Sequence, residues 1–149
     1  MYINRNANRN EWNDYKENTF RAIETNKSKF LNMHLRIEDE DINIIQKFVH
    51  FNYEDITTSQ LRNVYNLILD VPNDKPSQLS LKRIKLAYVA GRTDKKKKGM
   101  LHLLRLLDSL FEMVKEDSEK LKGVKTFTEA LVAYHKYYDS LKIKPKNKK

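Results

Sequence analysis

Few residues in this chain are spaced for acid–base or metal chemistry, and the first to weigh are its four histidines, His34, His50, His102 and His135. No two stand four apart around a Glu, so the paired imidazole ligands of a helix-borne zinc site are missing. None follows an Arg by four to six residues, the spacing found in small helical proteins that cut RNA, so metal-free RNA cleavage of that kind has no support. The chain has no Cys, which removes thiol nucleophiles, disulfides and cysteine-held zinc and suits a reducing compartment. Its acid clusters, at residues 38–41 and 112–117, fall at expected helix ends or surfaces, where solvation accounts for them. Neither a GxxxxGK phosphate loop nor a GxGxxG turn is present. The reading is a protein that is not an enzyme and takes no metal or cofactor.

Charge and aromatic rings remain. Lys and Arg number 29 against 20 Asp and Glu, a formal net charge of +9, yet 40% of residues are hydrophobic, so the chain is a folded basic protein and not a disordered polycation. Residues 38–76 carry eight acids and three bases, whereas residues 77–149 carry nineteen bases and eight acids. A polyanion is the natural partner, held through Lys and Arg that displace counterions from its phosphates. Arg62 and Arg92 are candidates because a guanidinium fork grips a phosphate bidentately; pairing with an acid inside the fold is the equal alternative. Lys82 and Lys85 share a helical arc with Val89 and Arg92. Lys95, Lys96, Lys97 and Lys98 form an exposed loop that grips a phosphate or is simply solvated. Lys136 and Tyr137 belong to FTEALVAYHKYY at residues 127–138. There Phe127, Leu131, Tyr134, Tyr138 and the following Leu141 recur at core spacing, leaving His135, Lys136 and Tyr137 over. An ammonium beside a ring can hold a phosphate and stack a base, although a plain helix end with a half-buried Tyr is the commoner arrangement.

Only three Gly and three Pro interrupt the chain, which argues for an all-α fold, a compact bundle of about five helices in one domain. Residues 1–37 read as an N-terminal extension, disordered over 1–10 and weakly helical through Trp12, Phe20, Ile23, Phe30 and Leu31. Residues 38–141 read as the bundle, and residues 142–149, KIKPKNKK, as a flexible basic tail. Within the bundle, Ile42, Ile45 and Val49 mark one helix. Thr57 to Gln60 has capping-box spacing before a core face of Leu61, Val64, Tyr65 and Ile68, stopped by Pro72 and Pro76. From Leu79 the buried arc is expected to be Leu81, Ile84, Ala87 and Tyr88, ending in a left-handed cap at Gly91. Met100, Leu103, Leu104, Leu107, Leu110, Phe111 and Val114 make the widest stripe, and a last helix opens after Gly123. No apolar run approaches the roughly 20 residues of a membrane span, and the N-terminus shows no apolar signal segment, so the expected location is the cytoplasm.

Three segments stand in order: ITTSQLRNVYNLI at 56–68, KLAYVAGRTD at 85–94 and FTEALVAYHKYYDS at 127–140. Together they resemble the Csm small subunit of type III-A CRISPR effector complexes. The close match covers about a quarter of the chain, and the helix order around it covers residues 40–141. The first 37 residues, the lysine loop and the basic tail depart from the pattern. The resemblance implies a compact helical bundle that stacks in several copies inside a ribonucleoprotein filament, beside other effector subunits. There it lines the channel that holds guide RNA and target RNA without being the nuclease. It implies phosphate contacts for Arg62, Arg92 and Lys136; Lys82, Lys85 and Lys95 to Lys98 rest on charge alone. The alternative is a helical DNA-binding regulator reading duplex through the helix at residues 79–91, disfavoured because that stripe is mainly Lys and not Arg, Asn or Gln.

Overall fold

The computed structural model describes residues 9–143, with side chains for Glu11 and for residues 14–141. The expectations for residues 1–8, for the Trp12 side chain and for the tail side chains from residue 142 lie outside the described residues. Seven α-helices and no strand appear among the described residues: α1 Arg9–Glu24, α2 Lys27–Leu31, α3 Asp39–Asn52, α4 Thr58–Leu69, α5 Leu79–Arg92, α6 Lys98–Val114 and α7 Ser118–Ile143. Single 3-10 turns, Tyr53–Asp55 and Pro76–Gln78, follow α3 and precede α5. Helices α3 to α7 correspond to the five expected, and α1 and α2 are additional.

One core serves all seven. The α6 stripe is buried as expected, and Leu106, which lay outside that stripe, is buried too. A helix buried so nearly all round must be central, and each of its fully enclosed leucines is stabilised by roughly 1.5–3 kcal/mol relative to exposure. Around it, α3 contributes Ile45, Phe48 and Val49, α4 contributes Leu61, Val64 and Ile68, and α7 contributes Leu121, Val124, Phe127 and Leu131. Phe20 and Ile23 of α1 and Phe30 and Leu31 of α2 enter the same core, with Phe30 packing 5.5 Å from Phe127, centroid to centroid. The core therefore reaches back beyond residue 38. The sequence signal there is weak because α1 sets only two large apolar residues against an Asn- and Glu-rich remainder.

Local rules hold at α4. Thr57 Oγ1 accepts from the Gln60 amide at 3.0 Å while Gln60 Oε1 accepts from the Thr57 amide at 3.0 Å, a complete capping box. At α7 they do not. The helix opens at Ser118, where Asp117 Oδ1 accepts from the Glu119 and Lys120 amides at 2.9 and 3.2 Å, so Gly123 lies within it. That glycine serves close approach: a Cβ there would sit 1.7 Å from the Leu31 carbonyl oxygen.

The expected face of α5 is also wrong. Leu79 and Leu86 are buried, whereas Leu81, Ile84, Ala87 and Tyr88 are exposed. In this phase the Arg83 guanidinium also meets Asp108 of α6 at 2.8 and 3.2 Å and Glu112 at 3.5 Å. The Asp108 hydrogen bond raises the Arg83 pKa. Gly91 is no left-handed cap either; no glycine has a positive φ among the described residues, and α5 runs on to Arg92.

His102 adds a pH-dependent element to the core. It stacks on Phe20 at 5.2 Å, with Nε2 3.2 Å from the Glu17 carboxylate. Burial lowers its pKa below 6.5, with Glu17 opposing. The unfolded ring takes a proton near its ordinary value and the folded ring resists, so this contribution is present above that pH and lost as pH falls through it.

Two outcomes follow from these contacts. Gly123→Ala should lower unfolding free energy by about 2–4 kcal/mol in a urea titration, against the stabilisation that Ala brings in an unobstructed helix. Stability should decline between about pH 7 and pH 5, and His102→Gln should flatten that decline; an unchanged slope would remove His102 as its source.

Candidate functional site

Helix α7, about 39 Å long, spans the bundle from end to end. Near its start Lys125 donates to the Val71 carbonyl at 2.6 Å and Asn73 Oδ1 at 2.8 Å, and burial lowers the pKa of that ammonium. Near its finish His135 meets the Ile56 carbonyl at 2.5 Å. A carbonyl only accepts, so Nε2 of His135 carries the proton. His135 is thus a buried strut and not the surplus surface residue that its place beside Lys136 suggested. It ties the third of the three matching sequence segments to the first residue of the first one. The second segment arrives at the same place, since Val89, Arg92 and Thr93 line a groove of about 370 Å³ with Thr57 and Gln60.

Asp55 holds this end together. Its Oδ2 accepts from the Lys16 ammonium of α1 at 2.8 Å and from the Gly99 amide in the first turn of α6 at 2.7 Å. The carboxylate thereby caps a helix that has no side-chain cap of its own. Gly99 is required by crowding, because a Cβ there would meet Asn52 Oδ1 at 2.8 Å and Asp55 Oδ2 at 2.9 Å. Asp94 folds the loop before it: its Oδ1 accepts from the Lys96 amide at 2.9 Å and its carbonyl from the Lys97 amide at 2.9 Å. Both acids are committed to backbone amides, and the lysine side chains stay outside.

Some cations are ion-paired and others are not, and Lys27, Lys47, Lys75, Arg105, Lys115, Lys120 and Lys125 fall among those without an ion pair in the described residues, beside the candidates. Lys16, Arg21, Lys29, Arg36, Arg83 and Lys122 are ion-paired. Arg62, Lys82, Lys85, Arg92, Lys95, Lys96, Lys97, Lys98 and Lys136 have no ion-pair partner among the described residues. The second set contains every candidate cation from the sequence, so the acid-pairing alternative for Arg62 and Arg92 does not apply. Arg92 and Lys97 share the groove. Lys95, Lys96 and Lys98 flank Lys97 in sequence, and Lys136 follows the His135 strut. Arg62 lies on the exposed side of α4, and Lys82 and Lys85 stand about 15 and 10 Å before Arg92 along α5, so these three are not brought into the groove. Tyr137 is exposed, its ring against Tyr138 at 5.2 Å, and Tyr138 stacks on His50 at 4.3 Å. Burial raises the Tyr138 pKa, with the neighbouring Tyr137 and Tyr134 adding to it.

Sequence reasoning missed Asp55, whose partners lie 39 and 44 residues away, and Tyr88, over whose ring the Arg92 guanidinium sits at 5.4 Å. The AYVAGR motif signalled the second; nothing local signals the first. Among the described residues no group of three or more His, Asp or Glu is placed to hold a metal ion, and no helix is long and apolar enough to cross a membrane.

Fold and site define a class, a basic helical bundle whose end groove is lined by Arg92 and Lys97 together with Glu54, Asp55 and Asp94. Residues 42–140 match the family model described as Csm2 Type III-A, and the chain belongs to that family, the small subunits of type III-A CRISPR complexes. No curated protein and no solved structure matches it.

Replacing the Asp55 carboxylate tests what builds the groove. Asp55→Ala should cost about 2–4 kcal/mol by leaving the enclosed Lys16 unpaired and should speed amide exchange at residues 95–100. Asp55→Asn, which still accepts from Gly99, should cost less; equal losses would show that the cap contributes little beyond the ion pair.

Proposed function

We propose that this chain is a non-catalytic RNA-binding scaffold of the type III-A effector complex, lining the channel that holds guide RNA and target RNA. The observation that supports it most is that every candidate cation is free of an acid partner among the described residues. The unpaired ones include Arg92 and Lys97 at a groove lined by the first two of the three matching segments, the third being tied to Ile56 through His135. A guanidinium resting on a ring, with an ammonium across the groove, suits a phosphate beside an unstacked base. Lys95, Lys96 and Lys98, beside Lys97 in sequence, offset the Glu54, Asp55 and Asp94 carboxylates that also line the groove, Lys136 adds a cation on α7, and Tyr137 offers a further stacking surface. Arg62, Lys82 and Lys85 extend the phosphate track along α4 and α5. The backbone of such a track carries no sequence code, which suits a subunit that must accept any guide. Neighbouring effector subunits and further copies of this chain complete the assembly, which works in the cytoplasm. Duplex-reading regulation gains nothing from the structure, because the outward face of α5 presents Leu81, Ile84 and Tyr88 in place of base-reading side chains.

Fluorescence anisotropy with unstructured single-stranded RNA checks this. Affinity should be nearly independent of sequence and fall steeply with salt, the log–log slope changing by about 0.7 for each phosphate contact removed. Arg92→Glu should weaken binding about tenfold at low salt, roughly 1.4 kcal/mol, and Lys95 to Lys98 changed together to Gln should flatten the slope, with circular dichroism unchanged in both. Unaltered affinity and slope in both variants would rule out this groove.

A further inference from the structure

A second pocket adjoins the groove of Arg92 and Lys97. Its volume of about 320 Å³ is at the small end of the roughly 300–1,000 Å³ of ligand sites, and it is lined by Lys16, His50, Phe51, Tyr53 and Glu54. Three of these five side chains are rings, and each is held by another ring. Tyr15 stacks on Phe51 at 5.0 Å, Tyr138 stacks on His50 at 4.3 Å, and Tyr53 and His135 pack edge to face at 5.7 Å. The lining ammonium, Lys16, is bound to Asp55 at 2.8 Å. The pocket therefore offers flat π surface without a spare ammonium, a composition that suits a neutral base and not a phosphate.

Glu54 lines both this pocket and the groove, so the two meet at one exposed carboxylate. The other two acids of the groove serve the fold: Asp55 holds Lys16 and the Gly99 amide, and Asp94 holds the Lys96 amide. A carboxylate at the edge of a phosphate track repels the backbone by charge, and that cost is offset where it accepts a hydrogen bond from the same polymer. In a nucleotide the sugar stands between base and phosphate, and the donor that an RNA sugar has and a DNA sugar lacks is the 2′-hydroxyl. We propose that the ring-lined pocket seats one unstacked base of single-stranded RNA whose phosphate lies toward Arg92 and Lys97. Glu54, at the seam, accepts from the 2′-hydroxyl and makes the site selective for RNA over DNA. Stacking tolerates any base, so the seat adds a sugar test without adding a sequence code. Helix α1 completes it through Lys16, outside the residues 42–140 that match the family. The inference rests on the RNA reading of the groove and deepens it.

Fluorescence anisotropy with oligouridine and oligodeoxyuridine of equal length tests the sugar. Wild type should bind the RNA about tenfold more tightly, the effect of one hydrogen bond to a charged group. Glu54→Ala should bring the ratio to about one; a carboxylate that only repels phosphates would raise both affinities alike and leave the ratio as it was. A single 2-aminopurine within the oligouridine tests the base. Its fluorescence should dim on binding to wild type, and less so with Phe51→Leu, which keeps apolar bulk and loses the ring, circular dichroism being unchanged. Equal wild-type affinity for RNA and DNA, a ratio that Glu54→Ala does not move, or a 2-aminopurine that stays bright would each overturn the proposal. None of these three touches the RNA reading if RNA still binds and Arg92→Glu still weakens it. Binding of neither polymer would overturn both.

Discussion

The bundle depends on one carboxylate in a turn of three residues. Asp55 accepts from α1 and from the backbone of α6 through the same oxygen, and it does so where α3 has just ended and α4 is about to begin. A helix N-terminus buried without acceptors is costly; here the acceptor comes from a distant part of the chain, so α6 is capped only when the tertiary fold is in place. The same contact fixes where the lysine loop emerges. Its short backbone has both ends held, one by the Asp94 turn and one by the Asp55 cap, so its cations are presented from a rigid frame.

Sequence patterns were reliable where a local rule decides the structure. The wide α6 stripe, the capping box from Thr57 to Gln60 and the α4 core face are set by periodicity and by hydrogen bonds within a few residues. They failed where a distant partner decides. Both faces of α5 are apolar enough to be a core, and the choice is made by what packs against it: Leu79 and Leu86 go inward, and Arg83 meets Asp108 and Glu112, 25 and 29 residues on. His135 looked like a surplus polar residue on an exposed arc because the Ile56 carbonyl it serves is 79 residues away. Most of the candidate site was legible as charge: every cation singled out is exposed or half-buried and unpaired. That Arg92 and Lys97 share a groove while Arg62, Lys82 and Lys85 stand apart from it depends on how α4 and α5 pack, which no local pattern encodes.

The matching region begins at residue 42, so α1 and α2 lie outside it, yet both are built into the core and one of them grips Asp55. The segment that departs most from the family pattern is therefore structural in this chain. Lys27 of α2 also donates to Ser109 of α6 at 2.7 Å, so both N-terminal helices brace α6.

Helix α5 is held more lightly than its neighbours. It sends two fully buried leucines inward and otherwise clings to α6 through a half-exposed ion pair, whereas α6 is enclosed along its whole length. Local opening draws on the elements with the least buried apolar surface, and α5 is one such unit, alongside α1 with Phe20 and Ile23 and α2 with Phe30 and Leu31. Arg92, at the far end of α5, belongs to that unit. The groove is thus rigid on its α4 and α6 sides and compliant on its α5 side, able to widen or close around what lies in it without disturbing the core.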